Sequence, residues 1–341
     1  MRPASFARLS PKRILVRLPN WVGDVIMATP ALRALRAAFP AAEMTLVGPG
    51  SARGLLSGAS WCQRYETSVA SAGSVDAAVL LPHSFTTAWE AWRAGIPARA
   101  GFRGELRGGL LTHGVTAIRG NRRTEPYSKI TYLRRLLEGL GIPLDDLRLE
   151  LPLDADAERR VDDVLREVEI DPSRPFVVLN PGGAWGPTKL WPEEHFARAG
   201  DLASERLGAQ VLLISGPGEE DAARRIASST RVRASVLGPA AGTFPVVKSV
   251  VRRALAMISN DSGPRHIAAC FDVPCVVLVG PFHPVISDNA HLRTAMLWEG
   301  VECSPCHLKT CPIDHRCMTR LTPENVVAVA ERLIRSKAGR A

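Results

Sequence analysis

The strand-length apolar runs of this chain are continuous rather than alternating, and that pattern constrains the fold more than any other feature. They read R-I-L-V-R-L (13–18), M-T-L-V-G-P-G (44–50), A-A-V-L-L-P (77–82), F-V-V-L-N (176–180), Q-V-L-L-I-S-G (210–216), A-M-I-S-N (256–260) and C-V-V-L-V-G (275–280). A strand that faces water on one side shows polar residues at every second position; these do not, so both faces are covered. Between the runs lie helical periods. In the stretch after Asp24, Val25, Ile26, Leu32, Leu35 and Phe39 recur at helical spacing, and P-E-E-H-F-A-R-A-G-D-L-A-S-E-R-L supplies another helix. Strands alternating with helices predict an α/β fold with parallel sheets.

The alternation runs through the first part of the chain and restarts after about residue 150. With 341 residues available, two doubly wound, Rossmann-like domains are expected, 1–160 and 161–341, with L-P-L-D-A-D-A-E (151–158) as the linker. Ligands of such sheets bind beyond the carboxyl ends of the strands. Two domains facing an interdomain cleft would suit an enzyme with two substrates.

The formal charge of +9 favours an anionic partner. The basic residues are scattered and aromatics make up only 6% of the chain, so neither a base-stacking surface nor a nucleic-acid partner is expected. The first residues, M-R-P-A-S-F-A-R-L-S-P-K-R, lack the apolar stretch of a signal peptide, and no run approaches the ~18 apolar residues that span a bilayer. A cytoplasmic protein is expected.

Four loops at strand ends carry the candidate chemistry. In P-N-W-V-G-D (19–24), Asp24 is either a helix N-cap, the commonest job for such an aspartate, or a general base. The loop N-P-G-G-A-W-G-P-T-K (180–189) is not a Walker loop, because Lys189 is followed by leucine and the glycines are misspaced. Gly182 and Gly183 would still let backbone N–H groups approach an anion, with Lys189 as a point charge; a glycine turn with a solvated lysine explains the letters equally well. G-P-G-E-E-D (216–221) offers carboxylates to a ribose diol or simply complements a helix dipole. In I-S-N-D-S-G-P-R-H (258–266), Pro264 suits a first helical turn, Ser262 and Gly263 have free N–H groups, Asp261 suits sugar hydroxyls, and His266 is a ligand contact or a packed histidine.

These stretches resemble a known family. L-P-N-W-V-G-D-V-I-M-A, P-G-G-A-W-G-P-T-K-L-W-P and S-N-D-S-G-P-R-H-I-A-A are similar to landmarks of the ADP-heptose:lipopolysaccharide heptosyltransferases, glycosyltransferase family nine. The segment A-G-I-P-A-R-A-G-F-R-G-E-L-R-G-G-L-L (94–111) resembles the heptosyltransferase II branch. The resemblance implies a GT-B fold, with the acceptor on the N-terminal domain and the nucleotide sugar on the C-terminal one. It implies inverting transfer of L-glycero-D-manno-heptose from ADP-heptose to a heptose of the lipid A–Kdo–heptose acceptor, at the inner face of the inner membrane. It implies that Asp24 is the base and that Lys189 meets the diphosphate, with Gly182, Gly183 and Thr188 around it. Asp261 would hold the donor sugar, with Ser262, Gly263 and His266 also on the donor side, and Glu220, with Glu219 one register away, the ribose. Asn20 and Trp21 would meet the acceptor, and Arg99, Arg103 and Arg107 its Kdo carboxylates and phosphates. A monomer is expected, and no cofactor is implied for the transfer itself.

Of seven cysteines, four fall in C-S-P-C-H-L-K-T-C-P-I-D-H-R-C (303–317). Cys303 and Cys306 have the spacing with which two thiolates share an ion; Cys311 and Cys317 could complete a tetrahedral zinc or iron site, with His307 and His315 spare. Packing as small hydrophobes is the plainer alternative. Such a metal would be structural and away from the chemistry, pinning the segment that leads to a helix near Thr322.

Overall fold

A computed structural model describes residues 5–117 and 126–338. The chain divides into two units, Met1–Pro152 and Leu153–Ala341. The division falls ahead of residue 160 because helix Ala155–Glu167 belongs to the second unit. Asp154 caps it, accepting from the N–H groups of Asp156 and Ala157. Glu158 and Asp162 then pair with Arg252 and Arg253 of helix Phe244–Arg253.

The first unit is built on a six-stranded parallel sheet of β1 (Arg13–Arg17), β2 (Glu43–Val47), β3 (Arg64–Glu66), β4 (Ala77–Leu80), β5 (Ala98–Arg103) and β6 (His113–Thr116). Their order is β3-β2-β1-β4-β5-β6. The second unit's sheet contains β7 (Phe176–Asn180), β8 (Gln210–Ile214), β9 (Ala234–Leu237), β10 (Ala256–Asn260), β11 (Cys275–Val279) and β12 (Thr294–Trp298), in the order β12-β11-β10-β7-β8-β9. Counted from each unit's first strand, the two orders are the same. Every pairing within both is parallel.

The continuous apolar runs become central strands buried on both faces: β4, β7, β10 and β11 have no exposed residue. Leu15, Ala78 and Leu80 of the first sheet pack on Ala88, Ala91 and Ile96. In the second unit Val177, Leu179, Ile258 and Val276 meet Trp191, Phe196 and Val326. Each fully buried aliphatic or aromatic side chain contributes roughly 1.5–3 kcal/mol, so each unit has a core of its own.

In this topology the strand order reverses between β1 and β4, and between β7 and β10. Loops leaving the carboxyl ends of those strands flank a crevice where such sheets take ligands. The P-N-W-V-G-D loop leaves β1, the glycine–lysine loop leaves β7, and Asp261 follows β10.

Candidate active site

Two buried asparagines hold the ends of β7 and β10 together. Asn180 Nδ2 donates to Ser259 Oγ and Ser262 Oγ, both at 2.8 Å. Asn260 Nδ2 donates to the Pro181 carbonyl at 2.6 Å, and its Oδ1 accepts from the Trp191 backbone N–H at 3.0 Å. The indole of Trp191 donates to the Leu321 carbonyl at 2.8 Å. Each such group would cost about 1–3 kcal/mol if left buried without a partner, so these bonds fix where the loops begin.

On that base stands a cluster of charge. Lys189 Nζ reaches Asp261 Oδ2 at 3.1 Å and the Asp261 carbonyl at 2.8 Å, and lies 4.5 Å above the ring of Phe282. Arg265, wholly buried, brings Nε to the other carboxylate oxygen at 3.0 Å and its Nη2 to the Ser287 carbonyl. Burial pushes the Asp261 carboxyl up, but Lys189 and Arg265 outweigh it and hold the group well below the usual carboxylate range. Asp261 is therefore ionised, with two cations against one anion.

The glycine loop is closed by a carboxylate of the protein itself. Glu219 Oε1 accepts from the Gly183 N–H and Oε2 from the Gly216 N–H, both at 2.9 Å. A Cβ at position 182 would lie 2.1 Å from Glu219 Oε2, so a side chain there would push the Glu219 carboxylate off the loop. Glu219, not Glu220, is the acid that meets this loop; Glu220 opens helix Glu220–Ser229.

His266 is buried and paired with Asn289 through Nδ1 at 3.3 Å. Burial, then Arg265, drives its pKa well below the ordinary histidine value, so it is a neutral packed ring. Ser262 Oγ accepts from Asn180 Nδ2, and Thr188 donates to the Leu308 carbonyl at 2.6 Å.

That last contact corrects an expectation. The cysteine-rich segment does not stand away from the candidate chemistry; it backs the turn that carries Lys189. His315 Nε2 lies 2.8 Å from the Thr188 carbonyl, and a Cβ on Gly186 would meet the Lys309 carbonyl at 2.9 Å. Lys309 Nζ sits 5.4 Å over Trp185. Cys303, Cys306, Cys311 and Cys317 line one cavity of ≈ 60 Å³ together with Thr188 and His315. Among the described residues, no three His, Cys, Asp or Glu side chains stand arranged to hold an ion. Helix Pro323–Ala338 follows, as the sequence predicts near Thr322.

In the first unit, Asp24 does not cap its helix. Helix Val22–Met27 has Trp21 at the N-cap, Asp24 lies inside its first turn, and no side chain caps it. Its carboxylate instead pairs with Lys129 Nζ at 3.2 Å. Lys129 opens helix Lys129–Gly139, and no local motif marks it; only the tertiary fold brings it to Asp24. Asn20 accepts from Arg17 Nη2 at 3.0 Å, and Trp21 is exposed. The three arginines separate. Arg103 is exposed, with Nε on the Gly114 carbonyl at 3.0 Å. Arg99 is half-buried and gives Nε to the Leu110 carbonyl at 2.6 Å. Arg107 departs from the expectation of an acceptor contact: it is wholly buried, and its Nη1 donates to the carbonyls of Pro82 and Ser84 at 2.8 and 2.9 Å. Carbonyls left without sheet partners at the end of β4 need a donor, and the guanidinium supplies it.

The model of glycosyltransferase family 9 (heptosyltransferase) matches residues 71–316. The chain belongs to glycosyltransferase family 9. This family member is 30% identical over 310 residues to lipopolysaccharide heptosyltransferase 2 of Salmonella typhimurium, covering 82% of this chain and 87% of that one. It is 29% identical over 312 residues to the protein of the same name from Escherichia coli K12, with the same two coverages. The solved structure of E. coli ADP-heptose lipopolysaccharide heptosyltransferase II superposes with a TM-score of 0.78 at 25% identity, covering 96% of this chain and 99% of that one. The family 9 chain thus has the GT-B architecture, two Rossmann-like units, and is a glycosyltransferase.

Proposed function

We propose that the protein is an inverting heptosyltransferase that moves L-glycero-D-manno-heptose from ADP-heptose to the inner-core heptose of lipopolysaccharide. The observation that carries this reading is the Lys189–Asp261 pair at the strand-order reversal of the second unit, in a family whose similar members bear that name. Asp24 takes the proton of the acceptor hydroxyl. The hydroxyl oxygen forms the new bond to the anomeric carbon as the bond from that carbon to the ADP oxygen breaks, on the opposite face. The ammonium of Lys189 offsets the charge that builds on the departing diphosphate, the kind of term that contributes most to catalysis. Asp261, Ser262 and Gly263 are assigned to the sugar, Gly182, Gly183, Thr188 and the Glu219–Glu220 pair to the nucleotide side. Trp21, Asn20 and the exposed Arg103 are assigned to the acceptor.

The test is incubation with ADP-heptose and either heptosylated or bare Kdo–lipid A. Transfer to the heptosylated acceptor alone is expected. Transfer to neither, with ADP bound, would leave a sugar-nucleotide-binding protein; transfer only from another donor or to another acceptor would leave a different family 9 activity. The protein is proposed to act as a monomer at the inner face of the inner membrane, without nucleic acid. No helix among the described residues is long and apolar enough to cross a membrane.

A structural zinc or iron at Cys303, Cys306, Cys311 and Cys317 is a separate proposal. The convergence of four thiols on one cavity supports it; the present arrangement of the side chains does not, so the segment would have to tighten around the ion. Metal below about a tenth of an equivalent in reduced protein, with melting unchanged by chelator, ends it.

A further inference from the structure

The exposed large apolar side chains of the first unit are not scattered. They are Trp21, Phe85, Trp89, Trp92 and Leu106, at 58%, 44%, 41%, 46% and 95% exposure. Trp21, Phe85 and Leu106 follow the carboxyl ends of β1, β4 and β5, three strands adjacent in the sheet, and Trp89 and Trp92 lie farther along the helix that returns toward the start of β5. Three of them form a continuous stripe. Helix Phe85–Arg93 buries Thr87, Ala88 and Ala91 and turns Phe85, Trp89 and Trp92, spaced four and three residues apart, outward along one line. Their rings are in contact: 6.2 Å between the centroids of Phe85 and Trp89, nearly parallel, and 4.9 Å between Trp89 and Trp92. Single exposed apolar residues need no explanation, but a contiguous aromatic face on a protein surface marks something that binds there.

The charge distribution says what. Residues 1–152 contain 20 Lys and Arg against 11 Asp and Glu, a net +9; residues 153–341 contain 23 against 23, a net of zero. The whole excess of positive charge lies in the unit that carries the aromatic stripe. Arg93, in the last turn of the same helix, and Arg103, at the end of β5, are exposed, and neither pairs with a carboxylate among the described residues. Tryptophan with flanking arginine suits the boundary between lipid headgroups and acyl chains, where an indole has one apolar body and one wet N–H. A helix of nine residues is far too short to span a bilayer, so it lies in the surface plane.

We propose that the Phe85–Trp89–Trp92 face, with Arg93 in the last turn of the same helix, docks the first unit on an anionic phospholipid surface. The inference deepens the functional reading, resting on it only for the reason a lipid surface matters: the acceptor is lipid-anchored.

The test uses the full chain and vesicles without any acceptor, of phosphatidylcholine alone or with about a third phosphatidylglycerol. The parent is expected to sediment with the anionic vesicles, and less so at high salt. Trp89→Ser/Trp92→Ser should reduce that binding at least about tenfold while ADP affinity and melting temperature stay with the parent. Should the double variant melt early, the two single variants are compared in the same way. Transfer to a delipidated, water-soluble acceptor should be unchanged in the variants and transfer to acceptor in vesicles reduced. Equal vesicle binding by parent and variants overturns the proposal, as does a parent that ignores anionic vesicles. A dimer that these substitutions dissociate also overturns it, giving the face to a second copy. Vesicle binding through Trp89 and Trp92 without heptose transfer would overturn the functional reading and leave the lipid surface standing.

Discussion

Lys189 lies 3.1 Å from the Asp261 carboxylate, so the side chain assigned to the donor diphosphate is held by the residue assigned to the donor sugar. The arrangement gives a half-buried lysine a fixed position before any ligand arrives. Lys189→Ala should raise the dissociation constant of ADP about tenfold or more and lower kcat/KM further, because charge grows on the diphosphate during transfer. Equal calorimetric affinity in variant and parent would remove Lys189 from the donor site.

Arg265 decides how tightly that lysine is held. It pairs with the second oxygen of Asp261 from a wholly buried position. Arg265→Met should leave Asp261 balanced by Lys189 alone, draw the ammonium away from the diphosphate, and weaken ADP binding several-fold. Removing one partner of a buried ion pair is also costly, by about 3–5 kcal/mol, so the melting temperature should drop by several degrees. A variant that melts early but binds ADP as the parent does would make Arg265 purely structural.

The same cluster sets a pH dependence. The folded-state pKa of Asp261 is depressed, so the stability it contributes is fully present above its unfolded value of about 3.9 and is lost as pH falls below that toward the folded pKa. Asp261→Asn should be less stable than the parent at pH 7, with the gap narrowing only below about pH 4. Denaturant midpoints across pH 7 to 2.5 check this, and a gap that closes by pH 5 contradicts the assignment.

Asp24→Asn keeps the shape of the side chain and removes its capacity to take a proton; turnover should fall roughly 100-fold or more, with folding nearly untouched. Lys129→Ala, which removes the 3.2 Å ion pair, should reduce activity by much less than Asp24→Asn does. Near-normal turnover in Asp24→Asn would exclude it as the base.

Glu219 and Glu220 are adjacent in sequence but separable by experiment. Glu219 accepts from two backbone amides of the glycine loops, so Glu219→Ala should change both ADP affinity and melting temperature. Glu220→Ala, in the first turn of its helix, should change them by little. The reverse order would put the nucleotide contact one residue along.

The architecture was legible because continuous apolar runs have one economical solution, a parallel sheet covered on both faces, and the runs near 13, 77, 176 and 256 became the strands flanking both order reversals. The candidate loops were legible for the same reason: they lie where strands end. What was not legible depends on contacts distant in sequence. Lys129 reaches Asp24 from across the first unit, and nothing around it in the chain marks it. Arg107 reads like Arg103 in the sequence, yet one serves orphan carbonyls in the interior and the other faces solvent. The cysteine-rich segment reads as remote from Lys189, and the hydrogen bond from Thr188 to the Leu308 carbonyl abolishes that distance.

Glu219 leaves the glycine loop stoppered. The Gly183 and Gly216 amides already hold a carboxylate at 2.9 Å each, so an incoming anion finds no empty cradle and must first evict a ligand that is tethered to the chain and cannot diffuse away. Inorganic phosphate, which would bring only its own oxygens, has nothing to set against that eviction. A nucleotide sugar, the donor proposed above, would have further anchoring points to set against it, so the closed loop would discriminate against small free anions.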